Sequence, residues 1–109
     1  MTHLPNAAEA NVEEIKVRGY LLNPKHRQNG GKAAFFRSFG FEIGRWAMMR
    51  DTLLQHAVAN QISGTSLSSH GTKYTVHCSI ETPDGRDPCV TTVWIIEGNR
   101  PPRLVTSYP

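Results

Sequence analysis

The sequence contains no cluster of residues that would bind a metal ion. Its five histidines show no ligand spacing, and no acidic cluster accompanies them. The two cysteines, Cys78 and Cys89, are too few for a disulfide framework and lack metal-ligand spacing. We therefore expect no metal and no other cofactor. The cysteines are expected to be small buried side chains on neighbouring strands.

Long hydrophobic runs are also missing. No apolar run approaches the ~18 residues of a membrane-spanning helix. Residues 1–10 lack the charged-then-apolar pattern of a secretory signal and show no periodicity. These absences predict a cytoplasmic protein that does not contact a membrane, with a flexible tail over residues 1–10 and a single domain over residues 11–109.

Acidic residues are scarce between positions 16 and 50, where Glu42 is the single carboxylate. Eight of the 12 lysine and arginine residues fall in the same span: Lys16, Arg18, Lys25, Arg27, Lys32, Arg37, Arg45 and Arg50. A one-sided positive field favours a polyanionic partner, first of all a nucleic acid. The alternative is a solvated basic face without a ligand.

Periodicity divides the chain into helices followed by strands. A helix is predicted from a cap at Asn11 to Leu22, a second over 32–39 that ends at Gly40, and a third over 43–60. From Thr65 onward the period is two, which predicts strands around 73–80, 89–96 and 103–109. A weaker fourth strand is expected between Ile62 and Leu67. The predicted fold is α+β, with two to three N-terminal helices packed on one face of a three- to four-stranded antiparallel β-meander.

The segment 83–86, Pro-Asp-Gly-Arg, is a hairpin signal between two of these strands. A two-residue loop at 84–85 would place Val76 opposite Val93. Trp94 would then lie on the outer face beside His77, where the two rings could stack on nucleic-acid bases. A one-residue bulge would instead move one strand's residues to the other face.

Several polar residues match the needs of RNA cleavage without a metal: a base, an acid and cations for the phosphorane. His26, in the turn after Pro24, titrates near neutral pH and is a candidate acid or base. Lys32 opens the second helix, where backbone N–H groups also attract phosphate. Thr106 and Tyr108 offer a hydroxyl and a phenol on the last strand, on the face of Leu104.

We therefore consider His26, Lys32, Thr106 and Tyr108 as catalytic candidates. The candidates for substrate binding are Lys25, Arg27, Trp94 and Arg103, a bidentate cation expected on the opposite face of the last strand. Each of these residues also has an ordinary structural explanation, as a turn, strand or solvent-exposed residue.

The chain resembles an uncharacterised family of short bacterial proteins from about residue 15 to its end. The resemblance is carried by the segments 19–24 (GYLLNP), 35–36 (FF), 39–41 (FGF), 81–86 (ETPDGR), 93–94 (VW) and 102–109 (PRLVTSYP), together with His26 and the Lys32-Ala33 pair. The family tends to show a proline and a glycine where this chain has Arg27 and Asn29.

That family resembles C-terminal modules of bacterial polymorphic toxins. The order of helices and strands, with Thr and Tyr in the closing strand, is more distantly similar to the ribonuclease toxins of the barnase, EndoU, colicin and RelE superfamily. The resemblance implies a metal-independent endoribonuclease that acts on RNA by 2′-OH transesterification, with a small acidic antitoxin or immunity protein as partner. The alternative is a non-catalytic module of the same fold that binds nucleic acid or protein. The sequence leaves open the oligomeric state, the RNA recognised and the choice between these functions.

Overall fold

The protein is described by a computed structural model that covers residues 2–25 and 30–109. Within these ranges three α-helices precede the strands: α1 (Glu14–Lys16), α2 (Gly30–Ser38) and α3 (Trp46–Ala59). A π-helical turn, Val17–Leu21, continues α1, and short 3-10 helices occupy Ala7–Glu9 and Ile43–Arg45. Within the described ranges, no helix is both long enough and apolar enough to cross a membrane.

The second half of the chain forms a four-stranded antiparallel sheet. Its strands are β1 (Ile62–Ser68), β2 (Gly71–Ser79), β3 (Cys89–Ile96) and β4 (Arg103–Tyr108), and their spatial order is the order of the sequence. The prediction of an α+β fold with helices before an antiparallel meander is confirmed.

The core lies between the helices and the sheet. The expected apolar stripe of α3 is present, because Met49, Leu53 and Ala57 are fully buried. On the sheet side they are joined in one cluster by residues that include Val76, Trp94 and Leu104.

The predicted register between β2 and β3 is wrong by one residue. Val76 pairs with Thr92, and Tyr74 pairs with Trp94. The loop between the strands spans residues 80–88 and is not the two-residue turn that the prediction required. A shift of one residue reverses the faces of a strand. Trp94 is therefore 0% exposed, its indole N–H donates to Thr92 Oγ1 at 2.8 Å, and it presents no ring to a base.

The N-terminal segment contacts the core and the sheet. Leu4 is buried in the core, and the Thr2 carbonyl accepts a hydrogen bond from the Ile62 amide on β1. Asn11 does not cap α1, which begins at Glu14. Instead Asn11 pairs with β4, accepting from the Leu104 amide at 3.0 Å. The segment thus contacts both edge strands of the sheet.

The end of α2 is fixed to the loop between β2 and β3. Gly40 has a φ of +102°, as expected for a residue that ends a helix, and a Cβ there would lie 2.9 Å from Pro83 Cβ. In the same loop, Arg86 donates to the Ser38 carbonyl and stacks its guanidinium 4.2 Å from the Phe39 ring centroid. These contacts orient the helix that carries Lys32.

Candidate active site

Polar side chains from the π-helical turn, from α2 and from β4 meet at one place. The π-helical turn contributes Tyr20. Its neighbours Val17 and Leu21 are fully buried and anchor the turn in the core. The Tyr20 hydroxyl lies 3.3 Å from Thr106 Oγ1. Single π-turns are rare and occur frequently at functional sites.

Lys32, the third residue of α2, lies at the centre of the group. Its Nζ donates hydrogen bonds to the Tyr20 hydroxyl and to Thr106 Oγ1, both at 3.0 Å. The same ammonium lies 5.2 Å from the centroid of the Tyr20 ring and 5.7 Å from that of Tyr108, both within the range of cation–π attraction. We call Tyr20, Lys32, Thr106 and Tyr108 the Lys32 cluster.

A bulge in β4 determines where Thr106 lies. Leu104 pairs with Trp94 and Thr106 with the preceding residue Val93, so Val105 has no partner of its own. Leu104 and Ser107 are therefore the buried residues, and the expected shared face of Leu104, Thr106 and Tyr108 is not observed. Thr106 is half-buried and Tyr108 is exposed.

Positive charge surrounds the Tyr20 phenol. Lys16 Nζ lies 5.3 Å from the ring centroid, in addition to Lys32. The hydrogen bond from Thr106, followed by that from Lys32 and the charges of both lysines, lowers the pKa of Tyr20 below its ordinary value of 10.0, although burial opposes the shift. Among the described contacts of Lys32 none involves a carboxylate. Its described partners are hydroxyl groups and aromatic rings.

The other predicted site residues lie elsewhere or outside the described ranges. His26 and Arg27 fall in the segment 26–29, which is not described. Lys25 is exposed near that segment. Arg103 donates to Glu97 Oε1 from Nε at 3.2 Å and from Nη2 at 3.0 Å, and none of its described contacts involves the Lys32 cluster. Trp94 is in the core, as described above.

Tyr20 was not predicted from the sequence. The segment 19–24 has the pattern of a helix that leads into a turn. A π-helical turn has no distinct sequence signal, so the pattern does not show how Tyr20 is oriented. A lysine and an aromatic residue 12 positions apart also carry no spacing that points to contact. The available signal was Lys16, four residues before Tyr20, which predicts that an ammonium lies near the phenol on one helical face.

The cysteines lie on neighbouring strands, as expected, but both are exposed. They form a second polar group on β2 and β3 together with His77. In the described ranges, no group of three or more histidine, cysteine, aspartate or glutamate side chains is arranged to hold a metal ion.

Comparison with known families identifies the chain. The model of a domain of unknown function, DUF6883, matches residues 3–109. The chain belongs to the DUF6883 family. No curated protein matches it.

A solved structure shares the fold of this DUF6883 domain. It is a chain of a contact-dependent growth inhibition toxin–immunity protein complex from Klebsiella pneumoniae 342, with a TM-score of 0.72 and 14% sequence identity. The similarity covers 90% of this chain and 97% of the other. At that identity the comparison shows a common fold.

Proposed function

We propose that the protein is a metal-independent endoribonuclease of bacterial toxin type, which cleaves RNA by transesterification through the 2′-hydroxyl. The observation that carries the proposal is the position of the Lys32 ammonium, which donates to both Tyr20 and Thr106 at 3.0 Å and lies near the Tyr108 ring. A fixed cation beside two phenols supplies charge stabilisation and proton transfer at one place.

The chemistry can be assigned to these groups step by step. The Tyr20 side chain, whose pKa is lowered, acts in its phenolate form and removes the proton from the ribose 2′-hydroxyl. The 2′-oxygen then attacks the adjacent phosphorus. Lys32 stabilises the negative charge of the phosphorane, and the Thr106 hydroxyl holds Lys32 in position. The bond from phosphorus to the 5′-oxygen breaks as that oxygen receives a proton from Tyr108 or His26, leaving a 2′,3′-cyclic phosphate and a 5′-hydroxyl.

The surrounding charges support an anionic substrate. Three arginines of the basic span are paired with nearby acids, Arg18 with Glu14, Arg45 with Glu42 and Arg50 with Asp51. Lys16 has no such partner among the described ion pairs, and it lies next to Tyr20. Lys16 and Lys32 thus lie together at Tyr20 without a described carboxylate partner, and a phosphate would bind beside them.

The shared fold supports a toxin-like role. The structure with which this chain shares its fold contains a toxin and an immunity protein. We infer for this chain a small acidic immunity or antitoxin partner that covers the Lys32 cluster, and action on RNA in the cytoplasm. Complementary charge would favour that partner, since the chain has a net charge of +3.

The proposal is tested with purified protein and a synthetic RNA in excess chelator. The control substrate is the DNA oligonucleotide of the same sequence, which lacks the 2′-hydroxyl. We expect cleavage of the RNA alone, with 2′,3′-cyclic phosphate ends, and a large loss of rate in Tyr20→Phe and Lys32→Met. Cleavage of both substrates, or wild-type rates in both variants, would contradict the mechanism.

A non-catalytic binding module of the same fold is the second candidate. The edge strand β1 favours it, because six of its seven residues are exposed and Leu67 is 85% exposed. Such a module would bind its partner without turnover. Affinity that falls steeply with salt would indicate a nucleic acid, whereas salt-insensitive association would indicate a protein.

A further inference from the structure

The two cysteine side chains are in contact on the exposed surface of the sheet. Cys78 lies on β2 and Cys89 on β3, and their sulfur atoms are 2.8 Å apart. Both thiols are free and exposed. A disulfide requires about 2.05 Å between the sulfurs, so a small rotation of the two side chains would suffice.

The contact depends on an unusual backbone conformation. Cys78 pairs with Val90, and Cys89 pairs with Ser79. In a regular ladder, residues offset by one position point to opposite faces. Cys78 has a φ of +125°, which turns its side chain toward that of Cys89. Its carbonyl accepts from Nε2 of the buried His56 at 2.8 Å, which holds the turned peptide in place.

His77 completes the group. Its Nε2 lies 3.4 Å from Cys89 Sγ, and its Nδ1 lies 2.8 Å from Thr91 Oγ1. When Nδ1–H donates to Thr91, Nε2 is an acceptor and can take the Cys89 proton. The hydrogen bond to Cys78 raises the pKa of the Cys89 thiol, so a nearby proton acceptor favours reaction at neutral pH.

We propose that Cys78 and Cys89 form a reversible dithiol–disulfide site that reacts with low-molecular-weight disulfides such as glutathione disulfide. One protein thiolate attacks a sulfur of glutathione disulfide and releases glutathione. The second thiol gives up its proton, attacks the mixed disulfide and releases the second glutathione. Both protein thiols are oxidised to one disulfide, and one glutathione disulfide is reduced to two glutathione molecules. This site shares no residue with the Lys32 cluster and does not depend on the proposed function.

The test is oxidation of the folded full chain by glutathione disulfide, followed by intact mass and thiol titration. We expect loss of two hydrogen atoms, loss of both free thiols and recovery of both with a dithiol reductant. Cys78→Ser and Cys89→Ser are matched variants, and each should stop at a mixed disulfide with one glutathione. The His77→Ala variant should form the disulfide between Cys78 and Cys89 at least several-fold more slowly. Two bound glutathiones on the wild-type chain, a covalent dimer or unreacted thiols would overturn the proposal.

A second measurement separates this result from reaction of an unfolded chain. The oxidised protein should show a Tm about 10 °C above that of the reduced protein, because the bridge constrains the unfolded state. The two serine variants should show no such difference between oxidising and reducing buffer. An oxidised form that unfolds at a lower temperature than the reduced form would contradict a bridge that fits the folded sheet.

Discussion

Lys32 and Thr106 are 74 positions apart in the sequence, and Lys32 Nζ donates to Thr106 Oγ1 at 3.0 Å. One residue comes from the start of α2 and the other from the last strand, so the contact joins the two halves of the fold. The Tyr20 hydroxyl lies within hydrogen-bond distance of both atoms. A helix, a π-helical turn and a strand thus converge on a single ammonium group.

Replacing Lys32 by methionine should reduce RNA cleavage by about 10²–10³-fold, because a fixed donor to the phosphorane is lost. The fold should persist. Tyr20 and Thr106 can still hydrogen-bond to each other, so the free energy of unfolding should change by about 1 kcal/mol or less. Cleavage rates and urea denaturation of the same samples measure the two effects.

Arg100→Gln is the matched control for that loss of charge. Arg100 is exposed in the turn between β3 and β4, at the other end of β4 from Thr106. Its removal should change the rate by about threefold or less at moderate salt, through the long-range field alone. An equal loss in both variants would show that Lys32 contributes net charge and has no specific role.

The pKa of Tyr20 should lie below the ordinary tyrosine value of 10.0. The hydrogen bond from Thr106, followed by that from Lys32, lowers its pKa, and ultraviolet absorbance follows ionisation of the three tyrosines. Tyr20→Phe should remove the earliest phase, and Lys32→Met should move that phase to higher pH. A wild-type titration curve in Tyr20→Phe would contradict the assignment.

The same shift makes stability depend on alkaline pH. The folded state releases the Tyr20 proton before the unfolded state does, so the free energy of unfolding should rise as pH increases through the lowered pKa toward 10.0. The gain is complete above the pKa of the unfolded chain and is lost as pH falls through the folded value. Urea denaturation of wild type and Tyr20→Phe across this range measures the contribution.

His56 should make the fold less stable in acid. Burial lowers its pKa below the ordinary 6.5. Its neutral ring fits a complete hydrogen-bond chain, since Nε2–H donates to the Cys78 carbonyl and Nδ1 accepts from the Thr92 hydroxyl. Below about pH 6.5 the unfolded chain binds the extra proton first, so the free energy of unfolding should fall as pH decreases toward the lowered pKa.

The variant His56→Leu should lose about 2 kcal/mol at neutral pH, because the Cys78 carbonyl loses its donor and the Thr92 hydroxyl proton loses its acceptor. It should also lose part of the acid dependence. The control is His70→Leu in the exposed turn between β1 and β2, which should leave both quantities within about 0.5 kcal/mol of wild type. Equal acid dependence in wild type and His56→Leu would exclude the neutral buried imidazole as its source.

Gly40→Ala should destabilise the protein by at least about 1 kcal/mol. The backbone there has a positive φ, and the new Cβ would lie 2.9 Å from Pro83 Cβ. Gly31→Ala, within α2, meets no atom within 4 Å and should raise the free energy of unfolding by about 0.5 kcal/mol. Denaturation midpoints compare the pair. If Gly40→Ala leaves the free energy of unfolding unchanged, the 80–88 loop moves easily and does not fix α2.

Local patterns in the sequence predicted the fold well. Met49, Leu53 and Ala57 follow the helical period, and β-branched residues with period two mark the strands, so α3 and the meander were predicted. Register was harder, because it depends on the length of the 80–88 loop. A one-residue error placed Trp94 on the surface, whereas it belongs to the core.

The site was only partly predictable for a different reason. Lys32, Thr106 and Tyr108 were selected as residue types suited to phosphate chemistry, and the structure places them together. Tyr20 was missed because its orientation is set by a π-helical turn. The bulge at Val105 likewise has no local signal, yet it decides which side chains of β4 face the lysine.

The position of Thr106 in the last strand also bears on the order of folding. The β3–β4 hairpin closes a short loop, whereas Lys32 and Thr106 are 74 positions apart. The loop-closure entropy is therefore greater for the Lys32–Thr106 contact than for the hairpin. A chain in which the hairpin has formed but the helices have not docked on it lacks this pair, so chemical competence requires the helices and the sheet to be joined.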